Sequence, residues 1–191
     1  MTATRRLIPA LAMAVFAASA SHAYAQGAQK LPLAKAVQGP EDAKRILARD
    51  WISADIAEQI VQACVDAAKA VNGSVSVFVL SPDGEVANMY RMDGQGTVQT
   101  QTALRKAQTA LQRRQSTHQA SLQFSTVEQR QLHAPQGYFL VPGGMPIIVD
   151  DVIIGAIGVG GGRNINDEQC AHTALTKVLG PQPPLPERAT R

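Results

Sequence analysis

The sequence contains few aromatic residues, few cysteines and little charge. Aromatic side chains make up 4% of its 191 residues and charged ones 17%, and only two residues are cysteines. Two cysteines are too few for a four-cysteine zinc module or for a small domain held together by several disulfides. The hydrophobic fraction of 45% excludes disordered and collagen-like proteins. A chain of this length and composition is expected to form one compact domain with its own core.

No concentration of positive charge indicates a nucleic-acid partner. The formal net charge is +3, but Arg5 and Arg6 lie in a predicted leader, and without them the 18 basic residues become 16, against 15 acidic ones. Binding to nucleic acid requires a basic patch or stripe that outweighs the acidic residues around it. The sequence therefore predicts no nucleic-acid binding.

The first 25 residues have the three zones of an export signal. The basic pair Arg5-Arg6 precedes an apolar run of about 14 residues, and Ala23 and Ala25 have the small-x-small spacing of a signal-peptidase site. The apolar run is too short to span a bilayer comfortably. We therefore expect residues 1–25 to be a signal peptide cleaved before Gln26. The mature protein is expected to be periplasmic or secreted, with no membrane segment.

The remaining chain is predicted to hold one α+β domain between two less regular segments. Residues 26–49 indicate an extended lead-in with a short helix at 41–49, and the Pro-rich residues 181–191 indicate a flexible tail. Between them the apolar pattern and the turn residues predict a helix capped by Ser53 and ended by Asn72-Gly73, strands at 75–80 and 85–92, and a helix at 98–114. Residues 115–136 are predicted to be a polar loop with at most one short helix. Strands at 138–141, 147–149 and 152–159 follow, and then a helix capped by Asn166 that ends near Leu179. Two hairpins in this order favour a five-stranded antiparallel sheet flanked by helices.

Four short motifs occur in a fixed order within this domain. They are Arg91-Met92-Asp93-Gly94, Lys106-Ala107-x-Thr109-Ala110, Pro142-Gly143-Gly144-x-Pro146-Ile147 and Gly155-Ala156-Ile157-Gly158-Val159, and Asp167-Glu168 then open the last helix. Together they resemble the GlcG/HbpS family of haem-binding and haem-degradation-associated proteins, over residues 50–180. The resemblance implies a profilin-like fold, assembly into homo-oligomers, and binding of haem or of a corrinoid. The Gln-rich segment 112–136 and the glycine-free turn Asp150-Asp151 depart from the family pattern and leave the ligand open.

Eight residues in or beside these motifs are candidates for a ligand pocket: Arg91, Asp93, Lys106, Thr109, Gly143, Gly144, Met145 and Arg163. Lys106 could pair with a ligand carboxylate such as a haem propionate, or its stem could simply cover the small-residue face of its helix. Arg91 and Asp93 could hold a ligand or pair with each other.

The segment around Gly143 could admit a flat ligand to the backbone, with Met145 as a sulfur ligand, or could be an ordinary connection between strands. Arg163 lies beside the amino end of the last helix, where an anion could bind.

The histidines show no metal-ligand spacing, so no structural metal site is predicted. If haem binds through an imidazole, His118 and His133 in the predicted polar loop are the axial candidates, and an exposed position without a ligand role is the alternative. Tyr90 and Tyr138 are alternative oxygen donors. No nucleophile elbow or phosphate-binding loop is present, so no catalytic residue is assigned and binding is favoured over catalysis.

The leading interpretation is an exported haem- or tetrapyrrole-binding protein that stores, senses or assists the degradation of haem. The alternatives are an enzyme or binding protein for a small carboxylate metabolite, held by Lys106 and Arg91, and a structural oligomer. The family fold would also place the first and last helices side by side. That arrangement could bring Cys64 and Cys170 within bonding distance, whereas a buried free thiol at Cys64 is the alternative.

Overall fold

The computed structural model describes residues 50–124 and 126–186, and it describes only the backbone of residues 133 and 134. The predicted signal peptide, the lead-in with its short helix, and residues 187–191 of the tail lie outside the described residues. Within the described ranges, no helix combines the length and the apolar character needed to cross a membrane.

The described chain folds into one antiparallel sheet with helices on both faces. Its elements are α1 (Ala54–Ala70), β1 (Ser74–Leu80), β2 (Val86–Arg91), α2 (Thr97–Arg113), α3 (Thr117–Gln123), α4 (Val127–His133), a 3₁₀ turn (Ala134–Gln136), β3 (Gly144–Val149), β4 (Val152–Arg163) and α5 (Asp167–Leu179). The strand order is β2-β1-β4-β3, and every neighbouring pair is antiparallel. The predicted α+β class is confirmed.

The predicted fifth strand at 138–141 is wrong: the sheet of the described residues has four strands. The backbone of this segment binds threonine side chains on helices and pairs with no strand. The N–H of Phe139 donates to Oγ1 of Thr109 at 2.8 Å, and the carbonyl of Val141 accepts from Oγ1 of Thr117 at 2.7 Å. The segment 115–136, predicted as a loop with at most one short helix, holds two helices, α3 and α4. Ser116 caps α3 by accepting the N–H of Gln119.

Alternate residues of the central strands face two different helix layers. Val75, Val77 and Val79 of β1 pack with α1 and α5, and Phe78 and Leu80 pack with α2. The larger core therefore lies between the sheet and the helix pair α1–α5. The smaller core lies under α2.

Small residues allow α2 to lie very close to β3 and β4. An added Cβ on Gly158 would overlap the carbonyl oxygen of Ala103, and one on Gly144 would overlap that of Lys106. Gly158 and Gly144 are directly opposite each other in the sheet. The backbone of α2 is thus held against these strands at a distance that only glycine permits.

A disulfide between Cys64 and Cys170 joins α1 to α5, with 5.2 Å between the two Cα atoms. The bridge that the family resemblance implied is therefore present, and the alternative of a free thiol at Cys64 is wrong. The bridge spans 106 residues of sequence. In the chain-entropy model, a loop of that length stabilises the fold by about 4–5 kcal/mol.

Candidate functional site

Lys106 of α2 is buried and donates hydrogen bonds to two protein acceptors. Its ammonium donates to Oδ2 of Asp167 at 2.6 Å and to the carbonyl of Val159 at 2.9 Å, and only 2% of the residue is exposed. The other oxygen of Asp167 accepts the N–H of Gly162 at 2.7 Å. The start of α5, the end of β4 and the middle of α2 therefore meet at this ion pair. The ammonium already has two protein acceptors, and its pairing with a ligand carboxylate stays a prediction.

The next residue of α5, Glu168, binds His118 of α3. Nδ1 of His118 lies 3.1 Å from both carboxylate oxygens, and the two residues are 5% and 2% exposed. Asn166 caps α5 by accepting the N–H groups of Glu168 and Gln169, which holds the first turn in place. A carboxylate only accepts hydrogen bonds, so the imidazole hydrogen of this contact is on Nδ1.

The second ring nitrogen of His118 is available. Within residues 50–124 and 126–186, Nε2 has no hydrogen-bond partner. The side chain of His118 is 6% exposed. A neutral imidazole with its hydrogen on Nδ1 has a free electron pair on Nε2, which is the usual state of a metal-binding histidine.

The glycine segment before β3 closes one side of this ionic cluster, which we define as Lys106, His118, Asp167 and Glu168. Gly143 has a φ of +126°, and an added Cβ would lie 2.9 Å from the ammonium of Lys106. Its carbonyl accepts the N–H of Val159. Protein atoms fill the space beside Gly143 and Gly144. The close approach of a flat ligand to this backbone stays a prediction.

Residues 52–176 match the family described as haem degrading protein HbpS-like. The chain belongs to the HbpS-like family. This result confirms the resemblance seen in the sequence motifs.

Three proteins illustrate the similarity. An uncharacterised 15.0 kDa protein of the dhaT-dhaS intergenic region of Citrobacter freundii is 34% identical over 122 residues, which cover 62% of this chain and 86% of that protein. The structure of a double mutant of Streptomyces reticuli HbpS is 25% identical, with a TM-score of 0.63 over 74% of this chain and 94% of that one. The structure of a PduOC:heme complex is 25% identical, with a TM-score of 0.61 over 66% of this chain and 94% of that one.

Several other predicted site residues of this HbpS-like chain lie away from the ionic cluster. Arg91 and Asp93 are exposed at the end of β2, the edge strand opposite β3, and no ion pair joins these two described residues. Arg163 is exposed at the end of β4, opposite Ser74. Thr109 is buried and holds the segment 138–141 through its hydroxyl. The side chain of His133 lies outside the described part of the chain.

A cavity of about 440 Å³ lies along the outer edge of β3 in this HbpS-like fold. Met145 and Ile148 supply apolar lining, and the charged lining residues are Arg114, Asp150 and Asp151. These three have a φ of 53°, 47° and 62°, a left-handed conformation that is uncommon for residues other than glycine.

Residues 181–186 form another wall of this cavity. His172 lies 2.9 Å from the carbonyl of Pro183, and Leu185 packs against the larger core. The described part of the predicted flexible tail is therefore in contact with the domain.

Sequence reasoning named His118 and Lys106 but gave no role to Asp167 and Glu168. Acidic residues after an Asn cap are expected simply from the positive end of a helix. The sequence signal that could have identified Asp167 and Glu168 is their position after the four family motifs, at the start of the last helix. Their binding to α2 and α3 depends on contacts about 50 to 60 residues distant in sequence, which local patterns do not show.

Proposed function

We propose that this HbpS-like protein binds haem and that Nε2 of His118 is the axial ligand. The observation that carries the proposal is the carboxylate of Glu168 on Nδ1 of His118, because in a neutral ring this contact leaves the electron pair of Nε2 free for a ligand. A carboxylate or carbonyl behind a metal-binding histidine fixes its tautomer and raises its basicity. Membership of the HbpS-like family and the similarity to a PduOC:heme complex support the same ligand.

The imidazole of His118 is a donor of the type that binds haem iron. An imidazole nitrogen is the commonest proximal ligand of haem iron. His118 would bind the iron, Glu168 would orient the ring, and the pair Lys106–Asp167 would hold the first turn of α5 in place. When bound, haem supplies an iron centre capable of one-electron chemistry. A corrinoid would present a different metal to the same nitrogen, and a parallel titration with cobalamin distinguishes the two ligands.

A titration of the purified protein with haem tests the proposal. Wild-type protein should give a saturable Soret shift, and His118→Ala should weaken haem affinity at least tenfold. His133→Ala is the matched control and should bind as the wild type does. Loss of binding in His133→Ala, with retention in His118→Ala, would move the axial ligand to the other histidine.

We also propose that the protein is exported and works where disulfides persist, in haem storage, sensing or assisted degradation. The disulfide between Cys64 and Cys170 supports an oxidising compartment. The three-zone pattern of residues 1–25 supports export.

Assembly into homo-oligomers is a further proposal, carried by the family resemblance. The exposed apolar residues Val86 and Met89 on the edge strand β2 support it, because an unprotected edge favours association. Light scattering at micromolar concentration should report a dimer or larger, and a monomer would contradict the proposal.

A second candidate function, binding of a small carboxylate, is favoured by the cavity at β3. Its volume lies within the range of small-molecule sites. The guanidinium of Arg114 has no hydrogen-bond or ion-pair partner within the described residues, and Met145 and Ile148 supply apolar surface beside it. Arg114 replaces Lys106 and Arg91 as the residue that would hold the acid.

Calorimetry with hexanoate tests this second candidate. Arg114→Gln should reduce hexanoate affinity about tenfold, because a charge-assisted hydrogen bond contributes ~1.5–3 kcal/mol. The control Arg91→Gln should leave the affinity unchanged. If Arg91→Gln loses hexanoate binding and Arg114→Gln keeps it, the carboxylate binds at the β2 edge of the sheet and not at the β3 edge.

A further inference from the structure

A cavity larger than the one along β3 lies where the last turns of α2 meet the turn between β1 and β2 and the start of β4. Its volume is about 690 Å³, which lies within the range of small-molecule sites. Asp50 and Arg114 supply charged lining, and Leu111, Val152 and Ile153 supply apolar lining. The four residues of the ionic cluster are not among its lining residues.

Backbone hydrogen bonds hold the walls of this cavity in place. In the turn between β1 and β2, the N–H of Gly84 donates to the carbonyl of Ser81 at 2.9 Å. The N–H of Ile52 donates to the carbonyl of Ile154 at 3.1 Å, which ties the segment that carries Asp50 to β4. Because the cavity is pre-formed, a ligand that enters it pays little entropy for ordering the protein.

Four polar side chains that line the cavity have no protein partner. Within residues 50–124 and 126–186, no hydrogen bond or ion pair is made by the side chains of Asp50, Gln108, Gln112 and Arg114. Asp83, which also lines the cavity, instead accepts from the hydroxyl of Ser81 within its own turn. The unpaired set therefore offers one carboxylate, one guanidinium and two amides to a ligand.

These groups have the chemistry that recognises a peptide with free ends. A guanidinium binds a carboxylate in a charge-assisted contact, and a carboxylate binds an ammonium in the same way. Gln108 and Gln112 are four residues apart on α2, so they lie on one face of the helix. Each side-chain amide has both a donor and an acceptor, which complement the carbonyl and the N–H of a peptide group.

We propose that this cavity binds short zwitterionic peptides. Arg114 holds the peptide carboxylate, Asp50 holds the terminal ammonium, and the amides of Gln108 and Gln112 pair with the peptide groups between them. This inference does not depend on haem ligation by His118. It shares one residue, Arg114, with the carboxylate site proposed along β3.

Calorimetry with triglycine tests the proposal, and two blocked forms of this peptide assign each charge. N-acetyl-triglycine lacks the ammonium, and triglycinamide lacks the negative carboxylate. The wild-type protein should bind triglycine about tenfold more tightly than either blocked form, because each block removes one charge-assisted contact.

Two variants should each abolish one of these preferences. Asp50→Asn should bind triglycine and its N-acetyl form equally and still prefer triglycine to triglycinamide. Arg114→Gln should bind triglycine and triglycinamide equally and still prefer triglycine to its N-acetyl form. The controls are the exposed variants Asp55→Asn on α1 and Arg105→Gln on α2, which should keep both preferences.

Gln108→Leu separates the two cavities, because Gln108 lines this cavity and not the one along β3. It should weaken triglycine binding by about fivefold or more and leave hexanoate binding unchanged. Absence of saturable triglycine binding, or equal wild-type affinity for all three peptides, overturns the inference and leaves the haem and hexanoate proposals intact. Triglycine binding that is lost in Arg114→Gln but unchanged in Asp50→Asn and Gln108→Leu assigns the peptide to the cavity along β3 and also overturns it.

Discussion

Asp167 and Glu168 are consecutive residues in the first turn of α5, and they bind two different helices. Asp167 accepts from the ammonium of Lys106 on α2, and Glu168 pairs with the imidazole of His118 on α3. One helical turn therefore fixes both the ion pair that joins the layers of the fold and the side chain with the free ring nitrogen. Stability and the candidate site depend on the same turn.

Replacing Lys106 with Met should destabilise the fold strongly. The change leaves Asp167 and the carbonyl of Val159 without their cation, and breaking a buried pair costs roughly 3 kcal/mol. Urea unfolding measures the loss. The exposed Lys177→Met on α5 is the control and should change the free energy of unfolding by about 1 kcal/mol or less. Equal stability of both variants would contradict a structural role for the ammonium.

Removing the disulfide should also destabilise the fold. The double variant Cys64→Ala, Cys170→Ala should lose about 2–5 kcal/mol of unfolding free energy, because the unfolded chain is no longer constrained. Thiol titration under denaturing, non-reducing conditions should detect no free thiol in wild-type exported protein. Two free thiols per chain would show that the bridge does not form.

A methyl group on Gly158 should push α2 away from the sheet. The added carbon would overlap the carbonyl of Ala103, a backbone atom that cannot rotate aside, so Gly158→Ala should cost about 1–3 kcal/mol or more. In the control Gly96→Ala, the added carbon meets only the flexible side chain of Gln99, and the loss should be about 1 kcal/mol or less. Thermal unfolding compares the two variants.

Local features of the fold are predictable from the sequence. Ser53 and Asn166 are both predicted caps, and each accepts N–H groups from within its own first turn. Helix α2 begins and ends within one residue of its predicted bounds, because its small residues recur at helical spacing. The strand predicted at 152–159 ends too early, because β4 continues to Arg163.

Long-range contacts decide what the sequence does not predict. The apolar run at 138–141 has the pattern of a strand, but Thr109 and Thr117 bind its backbone from two helices. His118 is predicted in a loop as an axial candidate, yet its partner Glu168 lies 50 residues away. The residue type and the family motif identify the histidine, and only the fold identifies the carboxylate that orients it.

The export proposal predicts the first residue of the mature protein. Material recovered from the periplasm or the medium should begin at or near Gln26, because Ala23 and Ala25 supply the cleavage site. Intact-mass spectrometry measures this directly. Secreted protein that retains Met1–Ala25 would contradict cleavage.

Imidazole rescue of His118→Gly tests the central claim, that Nε2 of His118 is the axial ligand of haem. The variant removes the ring and leaves space behind it, with Glu168 in place to orient an added imidazole. Haem affinity should fall at least tenfold in His118→Gly and should recover when free imidazole is added, with return of the wild-type Soret band. Wild-type affinity in the variant without imidazole would contradict the claim.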